Sequence, residues 1–262
     1  MNPNLDAFNL SIFAPALLAG FLVLATHVPL GTQVLARGIV FIDLAIAQIA
    51  TLGVIAADRL GFEPEGWVAQ AAAVAAALAG AALLTWTEKR WPDIQEALIG
   101  VLFALAASGG MILVANNPHG GEHLQDLLAG QILWVGYAQL LPVAVLTAVI
   151  LAVWFRFGAR IGRFGFYGLF ACAVTASVQL VGVYLVFASL IVPALATRGY
   201  ASRRLVVAYA AGAGGYILGL VASTLFDLPS GPVIVWALGL IGMAVHRFKA
   251  PAQVPAAAPA AH

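Results

Sequence analysis

The sequence is poor in charged residues. Of its 262 residues, 9% are Asp, Glu, Lys or Arg and 63% are hydrophobic, and the mean hydropathy is +0.99. A water-soluble domain usually carries about 25% charged residues. This chain has too little polar surface for that class, so the composition predicts an all-α polytopic membrane protein. The net charge of +1 also argues against nucleic acid as a partner.

Cysteine and catalytic motifs are also scarce. Cys172 is the single cysteine, which excludes a disulfide framework and a cysteine metal site. The sequence contains no phosphate-binding loop of the Gly-x-x-x-x-Gly-Lys-Ser/Thr type, no His-Glu-x-x-His and no Gly-x-Ser-x-Gly. We therefore expect no enzymatic activity and no permanently bound cofactor, and any ATP hydrolysis would take place in a separate chain.

Long apolar runs take up most of the sequence. We predict about eight transmembrane helices in a single membrane domain, residues 1–249, followed by a disordered Pro/Ala-rich tail, 250–262. The predicted segments are 11–33, 38–58, 67–87, 94–115, 132–155, 166–197, 205–226 and 231–247.

The sixth segment is too long for one ordinary span. Gly182 and Pro193 interrupt it, which predicts a broken or short element around 180–197. This element is either one span with a half-helix or a pair of short crossings. We expect a further break at Gly53. Gly215 and Gly219 form a small-xxx-small pair that serves either packing within the chain or a dimer face.

Basic residues predict the orientation. Clusters at Arg156/Arg160/Arg163, Arg198/Arg203/Arg204 and Arg247/Lys249 should be cytoplasmic, whereas 116–130 and 227–231 contain no Lys or Arg and should face outward. Two of these basic clusters flank segment 166–197. That segment must therefore enter and leave the membrane on the same side, which agrees with a broken element.

Asp43 is the most informative polar residue. A carboxylate at mid-bilayer depth costs at least about 2.5–3.5 kcal/mol on insertion scales. The side chain either serves structure, as an interhelical hydrogen-bonding group, or lines a path for a cation or proton. Gln48 follows five residues later, about 140° around a regular helix, and it is either interhelical glue or a ligand. Gln179 has the same two interpretations.

Histidines offer two further candidates. His27, at the end of the first segment, is expected to be an interfacial residue with satisfied hydrogen bonds. The outer loop 116–126 is either a solvated polar loop or a set of contacts for divalent zinc or manganese. Its candidate metal ligands are His119, Glu122, His123 and Asp126.

Five stretches together resemble the integral-membrane permease of metal-type ABC importers, the family that takes up zinc, manganese and iron. In chain order they read "ARGIVFIDLAIAQIATLG", "QEALIGVLFALAASGGMIL", "LQDLLAGQILWV", "SVQLVGVYLVFASLIVPALATR" and "FDLPSGPVIV". They run across about 37–235, nearly the whole membrane region. One departure concerns Gln48, which stands where the family has a histidine and lies five rather than four residues after Asp43. A one-residue helical bulge would bring the two side chains onto one face.

The resemblance implies a homodimeric permease of the bacterial inner membrane that imports a divalent metal ion, zinc or manganese. It implies two copies of a cytoplasmic ATP-binding subunit, which hold the ATP, and a periplasmic or lipid-anchored metal-binding protein. The ATPase would dock on a short cytoplasmic helix at 197–205 through Arg198, Arg203 and Arg204.

Two other function classes stay open from the residues alone. One is an ion- or proton-coupled secondary transporter in which Asp43 is the titrating group. The other is an intramembrane enzyme, for which the polar residues are too dispersed.

Overall fold

The protein folds as a bundle of α-helices. The computed structural model describes residues 10–64, 66–114, 132–158, 160–200 and 202–248, and within these ranges there is no β-strand. The α-helices are α1 (Leu10–Arg37), α2 (Ile42–Arg59), α3 (Trp67–Arg90), α4 (Gln95–Val114), α5 (Tyr137–Phe157), α6 (Arg163–Val181), α7 (Val183–Ala196), α8 (Arg204–Phe226) and α9 (Ser230–Arg247). Short 3₁₀ turns precede α4 and α5, at Pro92–Ile94 and Ile132–Trp134.

Seven of the described helices are long and apolar enough to cross a membrane. The helix α7 is too short, at 14 residues. The helix α2 has 18 residues but carries three charged ones, Asp43, Asp58 and Arg59. These findings confirm the all-α polytopic class. The predicted tail at 250–262 lies outside the described residues.

The two ends of the bundle differ in charge. At one end, the guanidinium of Arg37 lies 4.1 Å above the ring of Phe166, and Arg163 pairs with Glu88 at 3.4 Å. We call this the basic end, and it is the end that the positive-inside rule predicts to be cytoplasmic. The opposite end, which we call the acidic end, carries Asp58, Glu63 and Asp227 beside a single described basic residue, Arg59, at or just after the last residues of α2 and α8.

The broken element reverses at Gly182. The helix α6 begins at the basic end, and α7 returns to it, where the Tyr200 hydroxyl donates to the carbonyl of Val245 near the end of α9. Gly182 has φ +78° and ψ 165°, a conformation essentially restricted to glycine. Its N–H donates to Val178, and its carbonyl accepts from Val186. The predicted break is therefore present, as two helices that meet at Gly182.

Two predicted breaks are absent. Pro193 lies inside α7, three residues before the helix ends. The helix tolerates it because the single backbone hydrogen bond that proline cannot donate falls within the last turns. Gly53 lies inside a continuous α2. A Cβ at Gly53 would lie 2.7 Å from the carbonyl oxygen of Ala72, so this glycine allows α2 to pack closely on α3.

Other glycines also allow close helix packing. Gly31 lies against the carbonyl of Leu190, so α1 and α7 approach with no space for a side chain. Gly215 and Gly219 pack on Leu238 and Ile234 of α9. The small-xxx-small pair therefore serves packing within the chain.

Candidate metal pathway

Asp43 lies in the first turn of α2 and is fully buried. Neither of its carboxylate oxygens has a hydrogen-bond partner within the described part of the chain. The partial positive charge of a helix N-terminus favours an anion at this position. The side chain therefore lies near the basic end of the bundle and not at the mid-bilayer depth that the sequence suggested. An unpaired buried carboxylate can accept a proton or a cation.

The helix α2 presents three different buried faces. Ile46, Ile49 and Gly53 face α3, since they approach Gly80 and Ala72. Leu52 and Ile55 face α4, where they contact Gly109 and Gly110.

Gln48 and Asp43 belong to different faces. Gln48 precedes Leu52 by four residues and Ile55 by seven, so it shares the face that packs on α4. Asp43 lies on the third face with Ala47, Ala50 and Val54. The remaining helices that pack on α2 are α6 and α7, and they are the neighbours of this third face.

The bulge hypothesis is wrong. The helix is α-helical throughout Ile42–Arg59, with no π-type turn. Gln48 therefore stays about 140° around α2 from Asp43, and the two side chains do not form a coordinating pair on one face.

Gln179 is on the surface of the isolated chain. It ends a narrow accessible stripe along α6 that also contains Gly168, Cys172 and Ala176, whereas the other residues from 170 to 181 are buried. Gln179 therefore points away from the core that holds Asp43.

Three helices each carry a further buried polar group, none of which was predicted as a pathway residue. His27 is fully buried, its Nδ1 lies 3.0 Å from the Val23 carbonyl, and its Nε2 has no partner among the described residues. The expectation of an interfacial His27 is wrong because α1 continues through Pro29 to Arg37. Thr51 on α2 and Thr175 on α6 are also buried, with hydroxyls unpartnered in the described structure. Because threonine is common in apolar helices, the sequence offered no signal for them.

No compact metal site is present in the described ranges. Groups of three or more His, Cys, Asp or Glu side chains that could hold an ion are absent from them. The four outer-loop candidates, His119, Glu122, His123 and Asp126, lie outside the described residues, and their role as metal contacts stays a prediction.

The arginine-rich stretch after α7 forms a turn. The resemblance implied a short helix at 197–205, but the described residues between Thr197 and Arg203 are not helical, and α8 begins at Arg204. Arg198 and Arg203 are exposed. Arg204 is partly buried and donates to the carbonyl of Ala194 at 3.4 Å. It therefore caps the end of α7 and is less accessible to a partner protein than Arg198 and Arg203.

One known family matches nearly the whole chain. The model of the ABC 3 transport family matches residues 9–159 and 158–248. The chain belongs to the ABC 3 transport family. Because the two matches together cover all nine described helices, this membership applies to the whole bundle.

Named relatives of this ABC 3 transport family chain agree with that assignment. It is 24% identical over 246 residues to the high-affinity zinc uptake system membrane protein ZnuB of Haemophilus influenzae, covering 86% of this chain and 92% of that protein. It is 27% identical over 254 residues to the chelated iron transport system membrane protein YfeC of Yersinia pestis, covering 88% and 84%.

A solved structure shares the fold. The structure of PsaBC from Streptococcus pneumoniae in complex with Fab matches with a TM-score of 0.73 at 22% identity, covering 93% of this chain and 92% of that one. The ABC 3 transport family chain is thus a metal-type ABC transporter permease and an integral membrane protein.

Proposed function

We propose that this chain is the permease subunit of an ATP-driven importer that carries a divalent metal ion, zinc or manganese, across a bacterial inner membrane. The observation that supports this most directly is the buried Asp43 carboxylate, whose two oxygens have no protein partner in the described structure. A carboxylate attracts a divalent cation. One such group, without a cage of further ligands, binds weakly enough to release the ion again.

The pathway residues act in succession. Asp43, Gln48 and Gln179 point to different surroundings, so a passing ion would meet them one after another. Gln179 lies on an accessible stripe of α6, which in a homodimer would face the second copy. His119, Glu122, His123 and Asp126 would contact the ion on the outer side.

The cytoplasmic ATP-binding subunit docks on the turn between α7 and α8. Arg198 and Arg203 are exposed there and offer two cationic contacts. The turn is also fastened to the bundle, because Thr197 donates to Pro193 at 2.7 Å and Tyr200 donates to Val245 at 3.1 Å. A displacement of this turn would therefore move the end of α7 with it.

A periplasmic or lipid-anchored metal-binding protein delivers the ion to the acidic end. Asp58, Glu63 and Asp227 are at least partly accessible at that end, and their negative charge raises the local concentration of cations.

A secondary transporter is the second candidate function. The same unpaired Asp43 would then exchange a proton during transport, with no ATPase. In that case the energy would come from an ion gradient.

Reconstitution separates the two functions. The chain is placed in proteoliposomes with its ATP-binding subunit and metal-binding protein, and uptake of zinc, manganese and iron is followed with and without ATP. Iron is included because YfeC, one of the relatives named above, is a membrane protein of a chelated iron transport system. The proposal expects uptake only with hydrolysable ATP and both partners. Uptake by the chain alone under an imposed pH gradient would contradict it and support the secondary transporter.

A further inference from the structure

A cleft opens at the basic end between α1, α5 and α6. Its volume is about 330 Å³, and its lining residues are Gln33, Arg37, Trp154, Gly158, Ile161 and Phe166. Asp43 and the other residues of α2 are not among its lining residues. Nothing in the proposed transport cycle uses it.

Arg37 supplies the charge of the cleft. Its guanidinium lies 4.1 Å from the centre of the Phe166 ring, and Phe166 is itself buried and packs on Trp154 at 6.2 Å. The aromatic ring holds the guanidinium in place by a cation–π contact. Within the described part of the chain, Arg37 makes no hydrogen bond or ion pair. Its N–H donors are therefore available to a ligand, and a guanidinium matches phosphate oxygens in a bidentate manner.

The surroundings of the cleft carry the same sign of charge. Three exposed arginines lie around the connection from α5 to α6: Arg156 in the last turn of α5, Arg160 in the connection and Arg163 at the start of α6. Glu88 is the acidic side chain that contacts this segment, and it is already paired with Arg163 at 3.4 Å. The cleft therefore presents a net positive surface to an anion.

Exposed aromatic rings give the depth of the cleft in the membrane. Phe155, Phe157 and Phe164 are 68%, 48% and 68% exposed, and Arg156 lies 5.5 Å from the ring centre of Phe157. Trp and Tyr rings are enriched at the interface between hydrocarbon and water, and Trp154 lines the cleft beside these residues. A basic pocket between helices at the cytoplasmic interface is suited to an anionic lipid headgroup.

We propose that this cleft binds the phosphate headgroup of an anionic phospholipid from the cytoplasmic leaflet. Arg37 holds the phosphate, and Trp154 with Ile161 contacts the glycerol and the first part of the acyl chains. The bound lipid would join the ends of α1, α5 and α6.

The test uses the purified full-length chain in a zwitterionic detergent. Thermal unfolding is followed while phosphatidylglycerol, phosphatidylcholine or inorganic phosphate is added, because a ligand of the folded state raises the unfolding temperature. Phosphatidylglycerol should raise it at the lowest concentration. Arg37→Gln should require about fivefold more phosphatidylglycerol for the same shift, the effect expected for one basic residue at a lipid surface.

Two further variants keep the test decisive. Gln33→Trp fills the cleft and leaves every charge in place, so it should weaken the lipid effect even if Arg37→Gln fails to fold. Arg247→Gln removes one exposed arginine of the same end outside the cleft and should leave the effect unchanged.

Several results would overturn the proposal. Equal shifts with phosphatidylcholine would show that the headgroup charge is not recognised. An equal shift with inorganic phosphate would identify a simple anion site. An equal loss in Arg247→Gln would show a diffuse charge effect. If Arg37→Gln keeps the wild-type lipid response but loses binding of the ATP-binding subunit, the cleft serves that protein instead.

Discussion

The rings of Phe41 and Phe187 stack with their centres 6.4 Å apart and their planes 3° from parallel. Phe41 immediately precedes α2, and its backbone N–H donates to Glu96 of α4 at 3.2 Å. Phe187 belongs to α7, which ends at the turn proposed to receive the ATP-binding subunit. The stack therefore joins α7 to the residue that begins the Asp43 turn.

Phe187→Ala should reduce metal uptake because it removes this contact. The lost aromatic pair should cost about 0.5–1.5 kcal/mol of stability in addition to the lost burial. Uptake in proteoliposomes and unfolding in detergent measure the two effects. Phe155→Ala, which removes a lipid-exposed ring, is the control. If the two variants transport equally well, the stack has no role in positioning the Asp43 turn.

Gly182→Ala should destabilise the protein by about 1–3 kcal/mol, because alanine at φ +78° and ψ 165° is strained. Gly239→Ala is the matched control. A Cβ at Gly239 meets nothing within 4 Å, and alanine in a helix is favoured by about 0.5–1 kcal/mol over glycine. Chemical unfolding of both variants provides the comparison. Equal stability would mean that α6 and α7 do not need the reversal seen at Gly182.

A hydrogen-bond network at the basic end should matter more than the nearby ion pair. Buried Gln95 accepts from Thr87 at 2.9 Å and donates to the Leu84 carbonyl at 3.0 Å. Gln95→Leu removes both bonds, each worth about 0.5–1.5 kcal/mol, while the Thr87 hydroxyl can still donate to the Leu84 carbonyl.

Glu88→Gln weakens the pair with Arg163, in which the arginine side chain is 53% exposed and the glutamate side chain 15% exposed. It should cost less than about 1 kcal/mol because water reaches the arginine and the glutamine oxygen can still accept its hydrogen bond. The same unfolding measurement compares both substitutions, and a larger loss in Glu88→Gln would contradict this order.

The arginines of the turn should separate into two groups. Arg198→Ala and Arg203→Ala should weaken binding of the ATP-binding subunit and leave the unfolding temperature unchanged, because both side chains are exposed. Arg204→Ala should lower the unfolding temperature, since it uncaps the Ala194 carbonyl. Pull-down with the subunit and thermal unfolding measure the two properties. Unchanged binding in both exposed variants would move the docking site elsewhere.

Apolar runs were sufficient to predict the helices, whereas the orientation indicated by the charge pattern stays a prediction. The excess length of 166–197, with basic residues on both sides, also predicted the break found at Gly182. Gly53 was wrongly predicted as a break because sequence does not distinguish a glycine that bends a helix from one that admits a neighbouring backbone. For the same reason the faces of α2 were not predictable. Periodicity separates Asp43 from Gln48, but only the packing on Gly109 and Gly110 shows that Gln48 faces α4.

Metal uptake by Asp43 variants tests the central claim most directly. Asp43→Asn and Asp43→Ala are compared with Asp93→Asn, which removes an exposed acid before α4, after membrane insertion and ATPase binding have been verified for each. Uptake should fall at least about tenfold in both Asp43 variants and stay at the wild-type level in Asp93→Asn. Normal uptake in Asp43→Asn and Asp43→Ala would contradict a role for this carboxylate in the pathway.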